Sequence, residues 1–206
     1  MPDQARRIRV YIGLGANVGD PDATLAEAVA ALEDLPGARL AAVSRLYATA
    51  PVGVTDQPEF RNAVVALDLV TVPDPATAAN DLLVRLKGIE RDFGRRRRRR
   101  WGPRELDLDI LVFGRERLAI ERPQEGRSVD VATDPTRAGR LLEVPHRDAS
   151  ERLFVLAPLV DVAPRLVPPG WGETVQTARR RRVAIEGEAS VRPIGTWDRT
   201  LRRWTS

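Results

Sequence analysis

Two aspartates two residues apart, Asp107 and Asp109 in RELDLDILVF, are the sharpest chemical feature of this sequence. Leu106, Leu108, Ile110 and Val112 alternate with Glu105, Asp107, Asp109 and Leu111, and this period of two predicts a strand over Glu105–Phe113. On a strand, residues two apart project to one face, so both carboxylates stand opposite an apolar side. Carboxylates that close repel unless a cation lies between them. Hard oxygen donors of this kind suit Mg²⁺, which takes one or two carboxylates together with phosphate oxygens. A D-x-D pair alone is more often two ordinary acids on a solvated strand face. The neighbours shift that balance: Arg104 precedes the strand, Trp101-Gly102-Pro103 makes a stiff aromatic turn, and Arg95–Arg100 are six consecutive arginines. Guanidinium groups beside a carboxylate-bound metal neutralise the charge that moves during phosphoryl transfer. The simpler reading of the arginine run is a solvated loop; the same mobility would let it close over ATP.

Phe60 and Asn62 also stand two apart on an apolar run and share a face. A ring that stacks beside an amide that pairs suits a flat heterocycle, although as an isolated pair they read more simply as a core phenylalanine and a strand-edge asparagine. His146 is the sole histidine, in Val144-Pro145-His146, and a lone histidine is more often structural than catalytic. Gly13-Leu14-Gly15 follows a strand, but the next glycine is Gly19, which breaks the G-x-G-x-x-G dinucleotide fingerprint. A tight turn or a close backbone approach is the expected use of these glycines.

The elements that must position these residues are legible from periodicity. Ile8–Ile12 predicts a strand. Asp20-Pro21 is an N-cap followed by proline, opening a helix with Leu25, Val29 and Leu32 on one side and Pro36-Gly37 as its stop. Leu40–Tyr47 predicts a second strand, Thr49–Pro58 a shaped loop and Phe60–Val70 a third strand. Asp74-Pro75 opens a second helix striped by Leu82, Leu86, Ile89 and Phe93 and ended by Gly94. The order strand, helix, strand, strand, helix, strand predicts an α+β fold, a ferredoxin-like split βαβ with an antiparallel sheet, helices packed on it and mobile loops over the site. Residues 1–170 form the expected main domain, interrupted by a polar excursion at about 115–142; residues 171–206 form a C-terminal extension that packs on the domain or trails from it.

Composition bounds the possibilities. The 206 residues contain 33 basic and 29 acidic side chains, one lysine and no cysteine. Disulfide and thiolate-metal chemistry are therefore excluded, and a reducing, cytoplasmic setting is expected. No apolar run is long enough to span a membrane. The arginine clusters, Arg95–Arg100 and Arg179–Arg182, favour anionic partners. A nucleic-acid-binding protein using them with Trp101, Trp197 and Trp204 is the competing reading, but it leaves the aspartate pair and Phe60/Asn62 unexplained.

Four segments in order, YIGLGANVGD (11–20), SRLYATAPVGVTDQPEFRNAV (44–64), GRRRRRRWGPRELDLDILVF (94–113) and VPHRDASERLFVLAPLVDVAP (144–164), resemble the 6-hydroxymethyl-7,8-dihydropterin pyrophosphokinases of folate biosynthesis. The resemblance implies ATP and the pterin alcohol as substrates, AMP and the pterin diphosphate as products, and a monomer with no membrane or nucleic-acid partner. It implies two Mg²⁺ ions held by Asp107 and Asp109. It places Arg100 and Arg104 among the catalytic groups and, with Glu90, Lys87, Ile110, His146 and Arg152, around ATP. Phe60 and Phe154 would sandwich the pterin, Asn62 would pair with its edge, and Thr49, Val52 and Trp101 would complete that pocket. Among the basic-loop residues, Arg95 and Arg97 are weaker candidates. Two positions depart from the family pattern: Lys87 stands where glutamine is common, and Arg147 where an aromatic residue is common.

Overall fold

The apolar run at Ile8 does not stop at Gly13. It continues as an eleven-residue strand, β1 (Arg6–Ala16), in the computed structural model of the chain, which describes residues 6–51, 56–94, 102–126 and 141–206. The helix α1 (Pro21–Glu33) starts where the sequence places it, with the Asp20 carboxylate accepting the Ala23 N–H at 3.1 Å. Asp74 does the same for α2 (Pro75–Asp92), accepting from Thr77 N–H at 2.8 Å. Both caps satisfy a backbone donor that the first helical turn leaves unpaired.

The expected strand Leu40–Tyr47 is two strands, β2 (Ala38–Val43) and β3 (Leu46–Thr49). Ser44 causes the break. Its backbone N–H donates to Val64 C=O, while its hydroxyl accepts from Val64 N–H and donates to Arg45 C=O. A serine that bonds the neighbouring backbone in this way competes with a regular ladder. Both pieces border β4 (Phe60–Thr71), which also pairs antiparallel with β1. The strand β5 (Asp107–Phe113) closes the other side of β1. The order β5-β1-β4 with β2 and β3 beyond it, all antiparallel, is the ferredoxin-like arrangement.

The sheet has two unlike faces. Ile8, Val10, Ile12 and Leu14 of β1, Val65 and Leu67 of β4, and Leu108 and Ile110 of β5 meet α1 and α2 in the main core. On the opposite face, Tyr11, Val64, Ala66, Leu111 and Val112 pack against α3 (Leu153–Val162) and α4 (Val175–Glu186), and Tyr47 packs against the start of α3. A register shift between Tyr11 and Ile12 against β5 reverses the alternation there. As a result Val112, expected on the core side, turns to the second face, and Phe113 enters the main core.

The excursion is bounded by a hairpin of β6 (Leu118–Glu121) and β7 (Leu141–Val144); residues 127–140 lie outside the described chain. The C-terminal segment, which carries little sequence signal, builds α4 and a second hairpin, β8 (Val191–Asp198) and β9 (Arg203–Thr205), whose β8 extends the sheet beyond β3. Trp197 and Trp204 meet edge to face at 4.7 Å between ring centroids, and Trp204 donates from Nε1 to Ser44 C=O at 2.8 Å. The arginine cluster on α4 is engaged internally. Arg179 pairs with Glu188, Arg181 with Glu151 and Glu173, and Arg182 with Glu186. The expected preference of this cluster for anionic partners is thus met largely by the chain's own acids. Among the described residues no helix is long and apolar enough to cross a membrane.

At the far end of the second face, Asp68 of β4 stands between Arg9 of β1 and Arg39 of β2 in one cross-strand row and pairs with both. The hydrogen bond from Arg9 holds the Asp68 carboxyl below its usual range, against the opposing effect of burial. A depressed folded-state pKa stabilises above the unfolded value and loses that contribution as pH falls through the folded one. Urea unfolding should therefore show stability falling below about pH 4, and Asp68→Asn should remove roughly 1 kcal/mol at pH 7 while flattening that fall.

Candidate active site

The end of the second face away from Asp68 is where the sequence candidates meet. In the antiparallel register Asp107 is opposite Gly15, Gly15 opposite Asn62, and Asn62 opposite Tyr47. In the next row Asp109 is opposite Gly13, and Gly13 opposite Val64. Paired residues project to the same face, so the two carboxylates and Asn62 stand on one surface with glycine between them. Two strand spacings separate Asp107 from Asn62, about 10 Å. The glycines therefore serve neither a turn nor a dinucleotide loop. At Gly15 the floor carries no side chain, and an added Cβ would stand 3.5 Å from Asn62 Oδ1; at Gly13 the Leu111 side chain lies 3.3 Å from where a Cβ would be.

Each wall of this floor is fixed locally. Asn62 is buried and donates from Nδ2 to Thr49 Oγ1 at 2.8 Å, which leaves its Oδ1 and second N–H to a ligand. Phe60, opposite Thr49 in register, shares this face and is half-buried. Arg104 is ion-paired to Asp107. No described residue bonds to the Asp109 carboxylate. His146 is brought to β5 at the irregular step, where its backbone N–H donates to Leu111 C=O at 2.9 Å. Its Nδ1 accepts from Asp148 N–H at 3.3 Å, which leaves Nε2 as the ring's donor. Arg152 donates to the Asp148 carboxylate at 2.6 Å and lies over the Phe154 ring, 5.8 Å from its centroid.

Three candidates fall elsewhere. Ile110, expected beside adenine, lies in the main core, 2% exposed, on the face opposite the aspartates. Lys87 and Glu90, expected to contact ATP, are buried and bonded to each other at 2.5 Å and to the backbone of β5 at Leu108. Val52, Arg100 and Trp101 lie outside the described residues, as do Arg95 and Arg97.

Asn17 is the residue that sequence reasoning missed. It is 2% exposed and ties three segments together. Its N–H donates to Arg104 C=O at 3.0 Å, and its Oδ1 accepts from Arg104 N–H at 2.7 Å. Its Nδ2 donates to Gln57 Oε1 and to Pro58 C=O, both at 3.1 Å. The amide thus sets the approach to Asp107 on one side and to Phe60 on the other. Its partners lie 40 and 87 residues away in sequence, so no local pattern could mark it. Removing its side chain unmakes three part-buried hydrogen bonds. Asn17→Ala should cost about 2–3 kcal/mol in urea unfolding and speed hydrogen exchange at the Arg104 amide.

Comparison with known proteins agrees with this geometry. Residues 11–164 match the family described as 7,8-dihydro-6-hydroxymethylpterin-pyrophosphokinase. The chain is 44% identical over 161 residues to the 2-amino-4-hydroxy-6-hydroxymethyldihydropteridine pyrophosphokinase of Pseudomonas aeruginosa, covering 78% of this chain and 84% of that one. It is 42% identical to the protein of the same name from Methylorubrum extorquens, over 82% of this chain and 90% of its relative. A crystal structure of Plasmodium falciparum HPPK-DHPS with pteroate superposes on all of this chain with a TM-score of 0.69 at 15% identity, a likeness of fold; the chain spans 48% of that larger protein. On its sequence match and its relatives, the chain belongs to the 7,8-dihydro-6-hydroxymethylpterin-pyrophosphokinase family.

Proposed function

We propose that this chain transfers the pyrophosphoryl group of ATP to 6-hydroxymethyl-7,8-dihydropterin, with Mg²⁺ at Asp107 and Asp109. The observation that carries the reading is the row Asp107–Gly15–Asn62, which sets an anionic wall and a heterocycle-pairing wall across one open floor. The names of the relatives supply the substrate class.

The donor set fits a hard cation that keeps open positions. Among the described residues no cluster of three or more His, Cys, Asp or Glu exists. Two carboxylates on one face leave the rest of a coordination shell to phosphate oxygens and water, as Mg²⁺ prefers. When bound, the cation would neutralise charge on the polyphosphate and favour the alkoxide character of the attacking hydroxyl.

The residues of the chain supply position and charge. Asn62 pairs with the edge of the pterin and Phe60 stacks on it, with Phe154 the expected second ring. The hydroxymethyl group then extends over Gly15, where the strand carries no side chain. The hydroxyl oxygen forms a bond to the β-phosphorus of ATP, the bond from that phosphorus to the α–β bridging oxygen breaks, and AMP leaves with that oxygen. The hydroxyl proton goes to solvent. Arg104, His146 through Nε2, and Arg152 would face the phosphates, with Arg100 from the basic loop. Such a transfer needs alignment and electrostatic stabilisation more than covalent help from the protein.

Incubation with ATP, Mg²⁺ and the pterin alcohol should give AMP and the pterin diphosphate, resolved by chromatography. Asp107→Ala and Asp109→Ala should each lower kcat about a thousandfold while circular dichroism shows an unchanged fold. ADP in place of AMP would assign a simple kinase. Absence of nucleotide turnover together with salt-sensitive binding of nucleic acid would return the chain to the competing reading.

A further inference from the structure

Lys87 is the sole lysine among 33 basic residues, and it is 5% exposed. Its partner Glu90, one helical turn on, is 2% exposed. Two buried charges in an arginine-biased chain need a reason, and the bonds they make give one. Glu90 Oε1 accepts from Leu108 N–H at 2.8 Å, and Lys87 Nζ donates to Leu108 C=O at 3.1 Å as well as to Glu90 at 2.5 Å. Leu108 is the residue between Asp107 and Asp109.

Among the described residues the strand β5 is the edge of its sheet, paired on one side with β1 and on the other with no strand. In an antiparallel pair, alternate residues turn their backbone N–H and C=O toward the neighbour and away from it. The groups of Leu108 point away from β1, toward α2. An edge strand would ordinarily leave both to water. Here an acceptor and a donor on α2 take both, and each charge is neutralised by the other. A compact ammonium with three donors can serve Glu90 and the carbonyl together, whereas a planar guanidinium is a poorer fit to two acceptors this close.

We propose that Lys87 and Glu90 are a positioning pair that fixes the β5 backbone between the two aspartates and thereby sets the affinity of those carboxylates for a divalent cation. The proposal rests on the reading of Asp107 and Asp109 as cation ligands. It assigns the pair a role from behind the strand, separate from contact with a nucleotide. Groups that hold ligands in place from outside the coordination shell commonly govern metal affinity.

The test is Mn²⁺ titration followed by electron paramagnetic resonance, on full-length protein with a non-hydrolysable ATP analogue. The Lys87→Met/Glu90→Leu variant buries no charge and keeps no bond to Leu108. It should bind Mn²⁺ at least about tenfold more weakly than the parent chain, and the Leu108 amide should lose protection from hydrogen exchange. In Lys87→Gln the amide can still donate to Leu108 C=O or to Glu90, and Mn²⁺ affinity should stay within about twofold of the parent's. Should the apolar pair fail to fold, Lys87→Met/Glu90→Gln, which buries no charge and loses the bond to Leu108 C=O, carries the test in the same titration with a loss in the same direction. A folded variant that melts earlier yet binds Mn²⁺ like the parent would reduce the pair to a stabilising role and overturn the proposal. Asp109→Asn is the control. If it leaves Mn²⁺ binding intact, the cation site itself is misassigned. If it abolishes binding while the Lys87 and Glu90 variants do not change it, the positioning role alone is wrong.

Discussion

A β-strand sends alternate side chains to opposite faces, and the first half of β5, from Asp107 to Ile110, depends on that constraint. Leu108 and Ile110 lock it into the main core, each contributing about 2 kcal/mol of apolar burial. The same packing fixes which way Asp107 and Asp109 point. Two carboxylates side by side repel, and a strand free to slip or roll would separate them. The large apolar side chains thus supply the rigidity that the charged pair requires. A slip of one residue would exchange the leucines for the aspartates and bury both charges.

The second face is then differentiated by what β1 carries. Where β1 presents Tyr11, α3 and α4 cover the sheet; where it presents Gly15, the strand itself puts no side chain between Asp107 and Asn62. The three segments that border this opening, around Arg104, Gln57–Pro58 and the end of β1, are held together by the single amide of Asn17. Charge is distributed with similar economy. The arginines of α4 are matched by Glu151, Glu173, Glu186 and Glu188, and Arg9 and Arg39 by Asp68. The formal excess of +4 therefore says little about the partner, while the local pairing of Arg104 with Asp107 bears directly on the site.

Much of the fold was legible because its signals are local. Asp20-Pro21 and Asp74-Pro75 name helix starts by capping chemistry, and the alternation around Leu108 names a strand and its faces. The features that escaped are those decided by distant partners. Ser44 splits a strand because its hydroxyl reaches Val64. The irregular step at Leu111 reverses Val112 and Phe113 only because β1 is there to pair with. The C-terminal hairpin forms on the edge of β3 and is weakly apolar by itself. Within the site, the face shared by Asp107 and Asp109 and the face shared by Phe60 and Asn62 each followed from period-two spacing, whereas their meeting on one surface is set by the pairing of β4 and β5 with β1. The glycine floor did not, since Gly13 and Gly15 show no alternation of their own. Lys87 and Glu90 were marked by family position alone, and their bonds to Leu108 cross from helix to strand. The engagement of the Arg179–Arg182 cluster was likewise hidden, because Arg181 and Arg182 pair with Glu151 of a distant segment as well as with acids on and beside α4.

The claim that everything else serves is that the open floor between Asp107 and Asn62 is where the two substrates meet. Gly15→Val tests it without replacing a charged or pairing group. Isothermal titration of 6-hydroxymethyl-7,8-dihydropterin into this variant, with Mg²⁺ and a non-hydrolysable ATP analogue, should show affinity reduced by about a hundredfold or more while the thermal transition stays close to the parent's. Pterin affinity equal to that of the parent chain, with AMP formed at the parent's rate, would contradict the assignment of the floor.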